Sequence, residues 1–158
     1  MKILIISDSH GNIANLNHVV GFAKKYGVSS IIHAGDWNNL ESVETVLSYG
    51  IPLYAVLGNA DIDPTIGKQL RMKSEKFDEN FLIFKIGGRT IGITHKPSNN
   101  TEYFLDTKLD LIINGHLHSK YESKETQIKI IRPGAIITGN NFAIFDTGSN
   151  RVEFIEDD

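Results

Sequence analysis

Seven side chains in this sequence could together hold a pair of metal ions: Asp8, His10, Asp36, Asn59, His95, His116 and His118. All are carboxylate, imidazole or carboxamide donors. The chain has no cysteine, so neither a thiolate site nor a disulfide framework is available, which points toward harder ions. Seven donors are too many for one tetrahedral site, whereas two five- or six-coordinate ions sharing one carboxylate use them all. Two ions about 3.5–4 Å apart can carry a bridging hydroxide and bind two phosphate oxygens, so one centre generates the nucleophile and neutralises developing charge. Phosphoester hydrolysis is the chemistry this suits best.

Each donor stands where an apolar run stops. Ile3-Leu4-Ile5-Ile6 reads as a strand buried on both faces, as in a parallel sheet, and it ends in Asp8-Ser9-His10-Gly11. Asn12 can cap a following helix with Ile13, Leu16, Val19, Val20 and Ala23 as its apolar stripe and Gly27 as its stop. Ser30-Ile31-Ile32-His33 leads into Ala34-Gly35-Asp36, after which Asn38 or Asn39 can cap a helix carrying Leu40, Val43, Val46 and Leu47 and closed by Gly50. A third strand, 53–57, runs into Gly58-Asn59-Ala60-Asp61. Three βα-like units therefore deliver polar groups at the carboxyl ends of strands, the edge where open α/β sheets place their sites.

Residues 62–80 are polar and weakly periodic and read as a loop with one helical turn. The runs 81–86 and 90–94 flank Gly87-Gly88-Arg89, a hairpin pattern whose second strand ends at His95. A short helix is expected over 101–108, then a strand over 109–113 delivering Asn114-Gly115-His116-Leu117-His118. Alternating stretches 127–131, 142–146 and 151–155 predict antiparallel strands with turns at Pro133-Gly134 and Gly139-Asn140-Asn141. The order, βαβαβ first and mostly β afterwards, predicts one α/β domain over residues 1–158 in which two sheets face each other with helices outside.

Composition sets the class of partner. A net charge of −3 without a run of Lys and Arg excludes an extended nucleic-acid surface and broad capture by an anionic membrane. Met1-Lys2 leads directly into a four-residue strand, too short for a signal peptide's apolar region, and no stretch reaches the length of a membrane span. A cytoplasmic protein is the expectation.

Asp-x-His-Gly, Gly-Asp, Gly-Asn-x-Asp, a strand-end His and Gly-His-x-His, in this order, resemble the signature of the calcineurin-like metallophosphoesterases. The short chain without a cap domain is similar to the small phosphodiesterase branch of that family, which also contains the retromer subunit of the same fold. The resemblance implies a four-layer αββα sandwich, with Asp8, His10, Asp36 and His118 on one metal and Asp36, Asn59, His95 and His116 on the other. Asp36 would bridge, and a hydroxide between the ions, supported by Asp36, Asn59 and His95, would attack phosphorus. It further implies a small phosphodiester as substrate, and a dimer or tetramer, for which the hairpin edge at 81–94 is one route. Manganese is the expected ion, with nickel, magnesium, iron and zinc as alternatives, because oxygen and imidazole donors do not choose sharply among them. The alternatives in function are a phosphomonoesterase on the same centre and a non-catalytic protein-binding scaffold.

Two positions depart from the family pattern. Ala60 stands where many members have a His serving as general acid or phosphate clamp, and Lys96 stands where Gly usually follows the ligating His. Lys96 and Asn12 are the candidate substrate-binding residues, although Asn12 is first a helix cap. Asp61 either orients a ligand or forms the turn, His33 is expected in the core or behind the ligands, and Trp37 packs or lines a pocket. His18 is expected on the surface. Tyr103-Phe104 is expected in the core or at a dimer contact, and the loops 62–80 and 96–102 are expected to set specificity.

Overall fold

The computed structural model describes residues 1–125 and 127–157. Strand β1 (Lys2–Ile6) sends Ile3 and Ile5 to one core and Leu4 and Ile6 to another. A period of two with both faces apolar is what a strand covered on both sides requires. β1 lies inside a six-stranded sheet with β2 (Ser30–His33), β3 (Leu53–Val56), β4 (Lys76–Asp78), β10 (Asn140–Asp146) and β11 (Arg151–Asp157), in the order β11-β10-β1-β2-β3-β4. β1 to β4 run parallel, so their carboxyl ends share one edge. β10 is antiparallel to both β1 and β11.

Helices α1 (Ile13–Tyr26), α2 (Leu40–Leu47) and α3 (Pro64–Lys73) pack in sequence over the outer face of this sheet. Leu16, Val19, Val20 and Ala23 of α1 and Val43 and Val46 of α2 meet Leu4, Ile6, Ile31 and Leu53 there. Asn12 and Asn39 cap the first two helices, accepting from the N–H groups of Asn15 and Ser42 at 3.0 and 2.9 Å, and Gly27 ends α1 at φ +86°.

The second sheet contains β5 (Phe81–Ile86), β6 (Arg89–Thr94), β7 (Leu111–Ile113), β8 (Lys120–Glu125) and β9 (Ile128–Pro133), in the order β5-β6-β7-β9-β8. Its inner residues Ile91, Ile93, Leu111, Ile113 and Ile131 face Ile3, Ile5, Ile32 and Val56 across the shared core. Its outer face is thinly covered: α4 (Asn100–Phe104), after a 3-10 turn at Pro97–Asn99, places Phe104 against Leu109 and Ile112. The four layers are therefore helices, sheet, sheet and one short helix in a single domain. Among the described residues, no helix is long and apolar enough to cross a membrane.

Three sequence expectations change. Residues 62–80 hold a ten-residue helix and strand β4 rather than a loop. Asp63 caps α3 ahead of Pro64, but only Ile66, Gly67 and Leu70 are buried, a stripe too narrow to give a strong period. The stretch near 127–131 is antiparallel to β8 but parallel to β7, and β8 itself was not foreseen, because its Lys-Tyr-Glu-Ser-Lys-Glu sequence carries no apolar alternation. The helix expected over 101–108 is confined to Asn100–Phe104.

Candidate metal centre

The loops at the shared strand edge fold back sharply. Asp8, His10, Asp36, His116 and His118 all have left-handed backbones, with φ of 54°, 43°, 63°, 73° and 56°. Only Asn38 and Asn150 join them among the described non-glycine residues. Each such conformation costs on the order of 1–3 kcal/mol and persists where its surroundings dictate it, which is typical of functional sites. Here the surroundings are a lattice of backbone bonds. The N–H groups of Asp8, His10 and Gly11 donate to the carbonyls of Gly35, Asp36 and Trp37 at 2.9–3.0 Å, and Gly115 N–H donates to His95.

Within that frame each buried aspartate is held chiefly by one oxygen and presents the other, Asp8 Oδ1 sharing the His116 N–H only at 3.3 Å. Asp8 Oδ2 accepts from the Ser7 hydroxyl at 2.6 Å and from His116 N–H at 3.0 Å. Its Oδ1 lies 3.4 Å from His118 Nε2, 3.8 Å from His10 Nε2 and 3.9 Å from His95 Nε2. Asp36 Oδ1 accepts from Ala60 N–H at 2.9 Å, while Oδ2 lies 3.1 Å from His95 Nε2 and 3.3 Å from His10 Nε2. Two groups of three donors result, Asp8-His10-His118 and Asp36-His95-His116, the donor atoms of each lying within 4.8 Å of one another.

The tautomer of His95 follows from its neighbour. Its Nδ1 is 2.7 Å from the Ala34 carbonyl, which can only accept, so Nδ1 carries the proton and Nε2 presents its lone pair to the carboxylates. Nε2 of His95 and of His10 are both buried without a hydrogen-bond partner. Unpartnered imidazole nitrogens aimed at carboxylate oxygens fit divalent cations as their common partner.

The charges are unevenly held. Burial raises the Asp36 carboxyl, but the adjacent His95 ring and the Ala60 N–H outweigh it, leaving the group at about 2. Burial keeps Asp8 raised despite the Ser7 hydrogen bond. Burial alone would lower His95, yet the Asp36 carboxylate beside it leaves the ring raised, whereas His116 is lowered by burial and by the charges of His95 and Lys96. Asp36 is thus the most firmly ionised donor.

Asn59 is exposed one residue before the Ala60 N–H that holds Asp36, and it lines a cavity of about 230 Å³ together with His95 and Lys96. Asn12 commits its Oδ1 to the α1 cap. His33 is fully buried: Nδ1 accepts from Gly35 N–H at 3.1 Å, Nε2 contacts the Ser9 hydroxyl at 3.0 Å, and the ring stacks on Trp37 at 3.5 Å. Trp37 therefore packs, its indole N–H donating to the Val56 carbonyl at 3.2 Å. Asp61 both orients and turns, accepting from the N–H groups of Asp36, Asn38 and Gly58 at 2.8–3.0 Å. Sequence reasoning passed over Ser7; its place directly before the first aspartate was the available signal.

Comparison with known proteins bears on the family and the fold. A family model described as a calcineurin-like phosphoesterase superfamily domain matches residues 1–150. Phosphodiesterase MJ0936 of Methanocaldococcus jannaschii is 25% identical over 143 residues, covering 85% of this chain and 83% of that protein. Among solved structures, an archaeal phosphodiesterase superposes with a TM-score of 0.89 at 23% identity over 99% of both chains. The phosphoesterase Yfce of E. coli gives 0.74 at 16% over 99% of both, and a single mutant of Vps29 from Entamoeba histolytica gives 0.67 at 16% over 100% of both. With the family model spanning all the strand-end motifs and every strand but β11, the chain belongs to the calcineurin-like phosphoesterase superfamily.

Proposed function

We propose that the protein is a divalent-metal-dependent phosphodiesterase. The observation that carries this reading is the position of Asp36 Oδ2, which contacts a histidine of each donor group, His10 at 3.3 Å and His95 at 3.1 Å. Asp8, His10 and His118 would hold one ion and Asn59, His95 and His116 the other, with Asp36 shared. Bound there, two divalent ions supply a nucleophile from water at neutral pH and Lewis-acid neutralisation of phosphate charge. Manganese is the ion we expect, on the same donor chemistry.

The chain's own residues set what the centre can turn over. Ser7 and Ala60 fix one oxygen of each aspartate, so the other is presented without rotational freedom. Among the described residues, Lys96 is the one Lys or Arg lining the cavity beside His95. A single cation suits the single charge of a diester better than the dianion of a monoester. Ala60 can neither donate a proton nor bind an oxygen, so esters with poor leaving groups forgo general-acid help worth about 10²–10⁴-fold. The family match and the phosphodiesterase relative support the same reading.

The test is hydrolysis of an activated aryl phosphodiester and the matching monoester by metal-stripped protein, with and without manganese. Manganese-dependent cleavage favouring the diester is expected, falling at least about 100-fold in Asp36→Asn. Absence of cleavage with any divalent ion, although metal binds, overturns the catalytic reading in favour of a scaffold.

A further inference from the structure

The cavity beside His95, at about 230 Å³, is smaller than the roughly 300–1,000 Å³ of drug-sized sites. It accommodates one ring-sized group rather than a long chain. Its walls hold polar groups that the protein itself does not use. Among the described residues, the side-chain amides of Asn80 and Asn99, the Tyr103 hydroxyl and the Lys96 ammonium have no hydrogen-bond or ion-pair partner. Each carboxamide offers a donor and an acceptor side by side, the pairing that the edge of a nucleobase presents in return.

The rest of the wall narrows the choice. Leu57 and the Tyr103 ring are apolar, and Phe81 stacks on one face of that ring at 4.5 Å and fixes it. The Glu79 carboxylate, 3.7 Å from the Arg71 guanidinium, leaves acceptor oxygens on the wall that suit an amino group. The segment carrying Lys96, Asn99 and Tyr103 is also pinned from behind. Asn100 and Asn114 exchange two amide hydrogen bonds of 2.8 Å, and Asn114 donates a third to the Thr94 carbonyl at 2.9 Å. A wall ordered in advance loses little freedom when a ligand enters.

We propose that this cavity binds the nucleobase of a nucleotide-type phosphodiester, Asn80 and Asn99 reading its hydrogen-bonding edge while Lys96 holds a non-bridging phosphate oxygen beside His95. The proposal rests on the phosphodiesterase reading and names its substrate class. Size, two free carboxamides, an apolar flank and a single cation converge on a flat, neutral, hydrogen-bonding group attached to one phosphate.

Two measurements on the full chain test it. Side-chain amide NMR signals are followed in magnesium-loaded and in chelated protein as adenosine 5′-monophosphate, adenosine, ribose 5-phosphate and glycerol phosphate are added separately. The monophosphate should saturably shift the Asn80 and Asn99 signals and bind at least about tenfold tighter than ribose 5-phosphate. Asn99→Ala should weaken it about three- to tenfold, and Lys96→Gln should weaken it more than it weakens adenosine. In turnover, the ratio of kcat/KM for an aryl nucleoside 5′-phosphate over an aryl methyl phosphate should fall in Asn99→Ala.

Equal affinity for ribose 5-phosphate or glycerol phosphate overturns the proposal. Hydrolysis of both aryl diesters with equal kcat/KM, without shifts at Asn80 and Asn99, overturns it while the phosphodiesterase reading stands. Base-selective shifts in protein that hydrolyses neither ester support the cavity assignment and remove the catalytic reading beneath it.

Discussion

Gly58 has no room for a side chain: a Cβ there would stand 2.1 Å from Asp36 Oδ1 and 2.6 Å from the Asp36 nitrogen. Even alanine must therefore displace the Asp36 carboxylate. Gly58→Ala is expected to weaken manganese binding about 10–100-fold, the range seen when a ligand's support is disturbed, and isothermal titration reads this directly. An unchanged affinity would mean that Asp36 can shift at no expense to the site. His33 gives a second residue-scale prediction. Burial holds its ring well below the ordinary histidine value near 6.5, so the unfolded chain binds a proton that the native state refuses. Its contribution to stability is whole above pH about 6.5 and is lost as pH falls further, by up to about 1.4 kcal/mol per pH unit. Urea unfolding between pH 7.5 and 5 should show a shallower loss in His33→Phe than in the parent. The six aspartate and histidine side chains that the fold brings together were legible in the sequence because their residue types carry the chemistry. Ser7 and His33 were less so, since nothing local distinguishes a serine or histidine that supports a ligand from one that merely fills space.

At the scale of elements, the centre belongs to loops laced to one another more than to the strands they follow. Asp61 is the clearest tie, joining the loop after β3 to the loop after β2 through the N–H groups of Asp36 and Asn38 while closing its own turn through that of Gly58. Asp61→Ala leaves those donors without their carboxylate and is expected to lower stability by about 2–4 kcal/mol, measured by chemical denaturation, with metal affinity falling in parallel. Asp61→Asn retains one acceptor oxygen and should lose less. The first two βα units and strand β3 could be read closely from sequence, because strands buried in the sheet and asparagine-capped amphipathic helices write strong patterns. α3 and β8 could not. α3 buries only Ile66, Gly67 and Leu70, and β8 is an edge strand of polar residues whose place is set by pairing with β9.

Across the whole molecule, one shared core sets the distance between the two sheets and hence between the donors they carry. Asp8 and Asp36 come from the first sheet, His95 and His116 from the second. Ile5 lies fully buried between them, and Ile5→Ala should cost about 2–5 kcal/mol in equilibrium unfolding. Two facing sheets with outer helices could be anticipated from element order, but the parallel pairing of β7 with β9 could not, because strand partnership is decided by the assembled sheet. The insertion of β10 between β1 and β11 carries a consequence for how the protein is made. β1 leaves the ribosome well before its neighbour on one side, Asn140–Asp146, and the carbonyls of Ser7 and Asp8 wait for the N–H groups of Ile136 and Ile137. At roughly 5–20 residues per second, the strand that aims the first aspartate stays half-paired for on the order of ten seconds or more. The loop that carries the first aspartate is thus framed only once β10 has been made, and a nascent chain halted short of β10 carries an open apolar edge, a natural target for chaperone holdases.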